Sequence, residues 1–360
     1  MQEFQISKDD FATKRLITVD PISIDAGEVL LDVQQFSFTA NNITYAVMGE
    51  RLRYWQFFPA SDDGSDKWGL IPVWGFATII ESKCQELSVG ERLFGYFPPA
   101  SQVKMSPSNI TDLSLFDGTP HRADLPPGYN IYRRVESEPD YSADFDAERM
   151  LLYPLFITAF SLHDMLSENQ WYDAEQIIIG SASSKTSIGL AYALAEDKAA
   201  PPVVGLTSDR NLGSVKKLGI YDSTATYGEL TDIDATKKSV IVDMSANGEM
   251  LGRLHSHLGE NMRFCSNVGL THWDNAQAGE GYIQERSEMF FAPSQIQKRM
   301  QDWGSDGFQL KSSAFIHRTA LKCREWLTLE NIDGLEGLQD VYDNVCHGKV
   351  PPEKGLIITV

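Results

Sequence analysis

Gln176-Ile-Ile-Ile-Gly180-Ser-Ala-Ser-Ser-Lys185-Thr-Ser-Ile-Gly-Leu190-Ala-Tyr-Ala-Leu-Ala195, followed after a proline-containing break by Val203-Val-Gly-Leu-Thr-Ser-Asp209, decides the fold. Ile177–Ile179 is an apolar run of strand length that meets a loop of small residues. Ile188, Ala191, Tyr192 and Leu194 then recur with helical period, and Val203–Leu206 reads as a second buried strand. This is the plan of a βαβ nucleotide-binding unit. A turn of small residues at a helix N-terminus can hold phosphate on bare backbone N–H groups.

The pattern continues in both directions. Downstream, a short helix is predicted over about 212–218 with Gly219 as its C′ residue, then strands near 223–227 and 239–244. A helix over 248–258, closed by Gly259, and a strand over 262–268 follow. Strands alternating with helices at this spacing imply an α/β fold with a parallel, doubly wound sheet. Upstream, residues 1 to about 100 are β-rich, with strands at Val29–Gln34 and Trp74–Ile80 and a polar loop at 60–66. Pro98 to Tyr129 reads as a long irregular excursion, and Glu136 to Glu148 as an acidic connector or the lead-in to an apolar helix over 151–166. The final Gly355-Leu-Ile-Ile-Thr-Val is strand-like and is expected to return to the N-terminal β region.

With 360 residues the chain can bury a large core and is expected to hold two domains. Fifty acidic against 31 basic side chains give a net charge of −19, which repels nucleic-acid phosphates. No run approaches the ~18 consecutive apolar residues of a membrane span. The N-terminus shows no signal-peptide pattern. Cys84, Cys265, Cys323 and Cys346 are scattered, with no CxxC pair, which argues against a zinc lobe or a disulfide framework and points to a reduced, cytoplasmic protein. Cys265 reads as a buried strand cysteine.

Several segments, in order, resemble the medium-chain dehydrogenase/reductase superfamily, in its zinc-free, quinone-oxidoreductase-like group. They are Ala26-Gly-Glu-Val-Leu-Leu-Asp-Val, Ile71-Pro-Val-Trp-Gly-Phe-Ala-Thr-Ile-Ile-Glu-Ser, Ser88-Val-Gly-Glu-Arg-Leu-Phe-Gly-Tyr, Phe156-Ile-Thr-Ala-Phe-Ser-Leu, 222–227 and 354–360. The resemblance implies a GroES-like β domain over 1–150, completed by about 311–360, and a Rossmann domain over 151–310, with the active site in the cleft between them. It also implies Thr158 as the helix threonine that approaches the cofactor, and a homodimer. The chain departs from the family in its phosphate loop, where Ser183, Ser184 and Thr186 stand at the usual glycine positions after Gly180 and Ser181, and Lys185 adds a positive charge. Hydroxyls and the lysine can supplement backbone donors to phosphate; the alternative is a degraded anion site. Asn41 and Asn42 lie where zinc-dependent members carry early metal ligands, so no metal is expected.

The second strand ends in Thr207 and Ser208, then Asp209 and Arg210. Hydroxyl donors and a guanidinium favour a 2′-phosphate, hence NADP(H), although Asp209 could instead sit by the ribose or cap the next helix. Without zinc, Tyr45 is the first candidate for a proton donor, with Asn41 or Asn42 orienting nicotinamide or a substrate carbonyl; core packing for Tyr45 and turn roles for the asparagines are the competing readings. Asn267, Gly269 and Thr271 follow the fifth strand and are candidates to contact nicotinamide. Tyr54 to Pro59, Trp74 and Tyr96-Phe97 could wall a pocket for a flat enone or quinone, or pack as core. His121-Arg122 reads as a surface pair, and residues 98–129 could form a lid. The expected activity is zinc-independent, NADPH-linked reduction of an activated alkene, quinone or carbonyl in a small molecule. The rival readings are an inactive nucleotide sensor and, less favoured, an S-adenosylmethionine protein.

Overall fold

The structure, a computed structural model, describes residues 1–61, 64–139, 141–268 and 279–360. The chain divides into two compact units, Met1–Leu151 with Leu327–Val360, and Leu152–Trp326.

The first unit is GroES-like and is organised around one strand, Val29–Phe38. Val73–Ser82 pairs with it antiparallel along its length. On its other side Gln102–Met105 pairs with its first half and the C-terminal strand Lys354–Thr359 with its second. The register shifts between Val33 and Gln35, so the strand bends there. Gly75 sits opposite the bend; a Cβ on it would lie 2.3 Å from the Gln35 carbonyl oxygen. The sheet extends through Arg92–Phe97, Ile131–Arg134, Ser114–Asp117 and Pro107–Ser108 on one side and ends at Thr328–Asp333 on the other. The stretch 98–129 is therefore not wholly irregular. Three of its segments are strands of two to four residues, too short to show alternation.

The second unit is the predicted doubly wound sheet. Its strands run Ser223–Thr226, Val203–Thr207, Gln176–Gly180, Ser239–Asp243, Met262–Asn267, Ser287–Met289 in space, all parallel. In chain order this is 3-2-1-4-5-6. Side-chain alternation explains the unbroken apolar runs, because both faces are covered. Ile178 joins Val204, Leu206, Ile241, Leu251, Leu254 and Leu258 on one face. Ile177 and Ile179 join Leu162, Leu166, Leu190, Ala191, Leu194 and Val242 on the other. The helices Lys185–Glu196, Asp209–Leu218 and Gly248–Leu258 fall where the periodicity put them, the second starting earlier than expected and ending at Gly219 with φ 64°.

The apolar helix is longer than predicted, Asp146–Glu168, and begins inside the acidic stretch. By length and composition it would pass for a membrane span, with a mean hydropathy of 1.3 over its best window. Leu151, Phe156, Ala159, Leu162 and Leu166 are nevertheless buried, as in a core helix. Pro154 lies inside it, and a proline cannot bond the carbonyl four residues back. The Ser37 hydroxyl donates to that carbonyl, Met150 O, at 2.8 Å. Before the first Rossmann strand, Gln170, Trp171, Tyr172 and Asp173 all have φ between 51° and 56°, a left-handed turn that costs about 1–2 kcal/mol per residue. Parallel stacking of Tyr172 on Phe264 at 4.1 Å and an Asp173–Lys238 ion pair hold it.

His255, on the helix Gly248–Leu258, is fully buried and stacks on Tyr282. Its Nδ1 accepts the Ile283 N–H at 3.0 Å, and its Nε2 has no partner among the described residues. Burial lowers its pKa to about 4 from 6.5. Between those values the unfolded chain binds more protons than the folded one, so stability is full above about pH 6.5 and falls as the pH drops toward 4, by about 3 kcal/mol at most. Urea midpoints measured from pH 7 to pH 4 should show this slope, and His255→Gln should flatten it. Identical slopes in both proteins would contradict the assignment.

Candidate functional site

In a 3-2-1-4-5-6 sheet, ligands bind outside the carboxyl ends of the strands where the order reverses, between the first and fourth strands. Here that point lies between Gly180 and Asp243. The two strands are adjacent, and a Cβ on Gly180 would lie 2.5 Å from Asp243 Oδ1. The Asp243 carboxylate is buried and accepts from the Ser245 N–H and hydroxyl and from the Ala246 N–H. Burial pushes its carboxyl above the ordinary range, while those hydrogen bonds pull the other way.

The turn after Gly180 is knitted by its own hydroxyls. Ser181 takes φ 52°, and its donors draw down the Tyr227 phenol, which burial and Asp243 push up. Ala182 N–H donates to Leu206 O, and Tyr221 donates to Ala182 O. Ser184 is the N-cap of the helix; its hydroxyl accepts the Ser187 N–H and donates to Ser187 Oγ, which in turn donates to Gly180 O at 3.1 Å. The Ser184 side chain is thus a helix cap, a local role the phosphate-loop reading did not give it. Asn211 Nδ2 donates to the Ser183 oxygen at 3.0 Å, so the Ser183 hydroxyl keeps a proton that no described residue accepts. The Ser183 and Thr186 N–H groups have no partner among the described residues, at the positive end of a twelve-residue helix. Lys185 opens that helix.

At the end of the second strand the Thr207 hydroxyl is buried and has no partner among the described residues. A buried hydroxyl without a hydrogen bond costs about 1–3 kcal/mol, so a polar ligand there would recover a loss already built in. Ser208 takes the N-cap position, which the sequence reading offered to Asp209, but makes no side-chain cap bond. Asp209 and Arg210 open the helix and are exposed. Asn267 is different. Its Nδ2 donates to Tyr282 and to Glu288 O, its Oδ1 accepts from Cys265, and its carbonyl accepts the Phe290 N–H. Its side chain is committed to packing the fifth and sixth strands. Cys265 is buried. Gly269 and Thr271 lie outside the described residues. The Thr158 hydroxyl donates to Pro154 O within its own helix.

In the first unit the segment with Asn41, Asn42 and Tyr45 is a helix, Ala40–Val47, so the asparagines are helical and not turn residues. Thr39 caps it, and Asn42 Oδ1 accepts the Thr39 N–H at 2.8 Å while its Nδ2 donates to Pro72 O. Asn42 is buried and both ends of its amide are engaged within the unit, so its side chain orients this helix. Asn41 Nδ2 donates to Tyr45 Oη at 2.8 Å, and Trp74 Nε1 donates to the same oxygen at 3.3 Å. Burial raises the Tyr45 phenol well above its ordinary value, the Tyr129 phenol adds to this, and the Trp74 and Asn41 bonds draw it back. Tyr45 touches the rings of Tyr54 and Tyr96, and Tyr96 is the hub of a cluster with Phe57, Phe58, Trp74 and Tyr129. Arg122 is not a surface residue: it is fully buried, ion-paired to Asp117 and bonded to Tyr132 Oη at 3.1 Å. Sequence reasoning missed it because Asp117 and Tyr132 reach it only through the sheet. It also missed Asn211 and the Thr39 cap; Thr39 three residues before Asn42 has the spacing of a capping box. Among the described residues no three His, Cys, Asp or Glu side chains gather as a metal site.

Solved structures share this architecture. CurA from Vibrio vulnificus, crystallised with NADPH, superposes with a TM-score of 0.62 at 12% identity, over 100% of this chain and 99% of that one. The quinone oxidoreductase from Coxiella burnetii gives 0.58 at 13% identity, over 100% and 99%. The human synaptic vesicle membrane protein VAT-1 homolog-like protein gives 0.54 at 11%, over 100% and 98%. The fold is that of the medium-chain dehydrogenases/reductases. No functionally curated protein matches the chain in sequence. The chain belongs to the family described as "Protein of unknown function (DUF2855)", whose pattern matches residues 36–351.

Gly180→Ala should cost about 1–3 kcal/mol, because its methyl group must displace a packed carboxylate. The cost should shrink in an Asp243→Ser background, where the shorter side chain vacates that space. Chemical denaturation of the four proteins of this cycle measures the coupling, and additive costs would refute the contact.

Proposed function

We propose that this chain is a zinc-independent reductase that uses NADPH to reduce an activated alkene, quinone or carbonyl. The observation that carries the reading is the anion-ready edge at the switch point: the Ser183 and Thr186 N–H groups, the uncommitted Ser183 proton and the Thr207 hydroxyl, which has no partner among the described residues. These residues fit the diphosphate and ribose of a dinucleotide. The NADPH in the CurA crystals supports the same cofactor here. Arg210, exposed beside Ser208, suits a 2′-phosphate. Bound nicotinamide would supply hydride.

The chain's own residues supply the rest. Ser183 and Thr186 bind phosphate, and Thr207 and Arg210 position the adenosine end. Tyr45 delivers a proton from Oη to the substrate atom that has gained charge. The apolar rings around it exclude water from that step. Four free cysteines suit a reducing, cytoplasmic setting.

Calorimetry should show NADPH binding tighter than NADH, and Arg210→Ala should weaken NADPH about tenfold or more while leaving NADH nearly unchanged. With a panel of enones and quinones, Tyr45→Phe should lower kcat by roughly 10²–10⁴-fold with the NADPH Kd unchanged. No binding of either dinucleotide would sink the reading, and tight binding without turnover of any substrate would replace it with a nucleotide sensor.

A further inference from the structure

We infer that Asn41 and Trp74 are positioning residues that form a two-donor cradle for the Tyr45 oxygen, aiming its proton outward and stabilising the phenolate left behind. The inference rests on the reading of Tyr45 as the proton donor. A phenol oxygen has two acceptor sites and one proton. Both hydrogen bonds made to Tyr45 by the described residues are ones it accepts, from Asn41 Nδ2 at 2.8 Å and Trp74 Nε1 at 3.3 Å. The indole N–H can only donate, which fixes the direction of that bond. With both acceptor sites filled, the Tyr45 hydrogen is the one polar atom of the group that the described residues leave unused.

Each element of the fold serves this arrangement. The Thr39 cap starts the helix, so Asn41 and Tyr45 stand four residues apart on one face. Trp74 comes from the strand Val73–Ser82, and Asn42 ties the helix to that strand's lead-in through Pro72 O. The other titratable groups packed around Tyr45 are the phenols of Tyr54, Tyr96 and Tyr129. The cationic side chain at the Tyr96 end of the cluster, Arg122, is neutralised by Asp117. Among these side chains, Asn41 and Trp74 are therefore the groups that meet charge on the Tyr45 oxygen.

The step balances simply. Bound nicotinamide would supply the hydride that forms one carbon–hydrogen bond, and an electron pair is then left on the substrate. The Tyr45 O–H bond breaks, its proton bonds to that pair, and its own electron pair stays on oxygen as phenolate between the two N–H donors. After the product leaves and water re-enters, solvent returns the proton.

The test replaces Tyr45 with a ring-fluorinated tyrosine, whose phenol ionises at lower pH, in the full chain without cofactor. Fluorine NMR then follows the phenolate as the pH rises. Removing either donor, by Asn41→Leu or Trp74→Phe, should raise the ionisation by about one pH unit, tenfold in phenolate stability. Asn41→Asp should raise it further, because a carboxylate captures the phenol proton and repels the phenolate. Asn41 is only half-buried, so its two variants carry the test if Trp74→Phe melts early. Ionisation at the same pH in all variants would overturn the cradle. Turnover follows separately: kcat should fall with each lost donor while the NADPH Kd holds. Fluorine shifts in a chain that reduces nothing would leave the cradle standing and remove the reductase reading.

Discussion

A carboxylate lying against a bare α-carbon sets the geometry of the nucleotide edge. The first and fourth Rossmann strands are neighbours, and the Asp243 side chain occupies the space a Cβ on Gly180 would need. That contact lets the strands close, and it holds the turn 181–184 where the next helix can begin at Lys185. The carboxylate also accepts three hydrogen bonds from residues 245 and 246, so the turns that follow the first and fourth strands are fixed together.

The serines of the turn share two tasks that glycines could not. Ser184 and Ser187 form a chain of hydroxyls that ends on Gly180 O, closing the turn internally. Ser183, braced by Asn211, keeps a proton that the described residues do not use. A glycine-rich loop presents backbone alone and loses more conformational entropy on folding. This turn is closed by hydrogen bonds of its own, which lowers the entropy a phosphate must offset on binding.

How much was legible in the sequence follows from what each element depends on. The Rossmann strands were plain because both their faces are buried, and Ile177–Ile179 and Val203–Leu206 therefore read as continuous apolar runs. Gly219 marked a helix end because its left-handed backbone is a local matter. The strands inside 98–129 were not visible, since two to four residues give no periodicity and Pro107 argues against a strand. The helix Ala40–Val47 was missed because Asn41, Asn42 and Thr44 are weak helix formers, and the cap decides the matter. Tyr45 could be singled out from its chemistry, but its partner Trp74 is brought to it only by tertiary structure.

The strand Lys354–Thr359 lies between Thr328–Asp333 and the central strand Val29–Phe38. During synthesis the second half of that central strand waits, with one edge unpaired, while the whole intervening unit is made. At about 5–20 residues per second the wait is on the order of tens of seconds. The Rossmann unit is contiguous and can close first, whereas its neighbour keeps an open strand edge until Lys354–Thr359 emerges. Shielding of that bare edge during synthesis is thus a demand that the order of strands along the chain imposes.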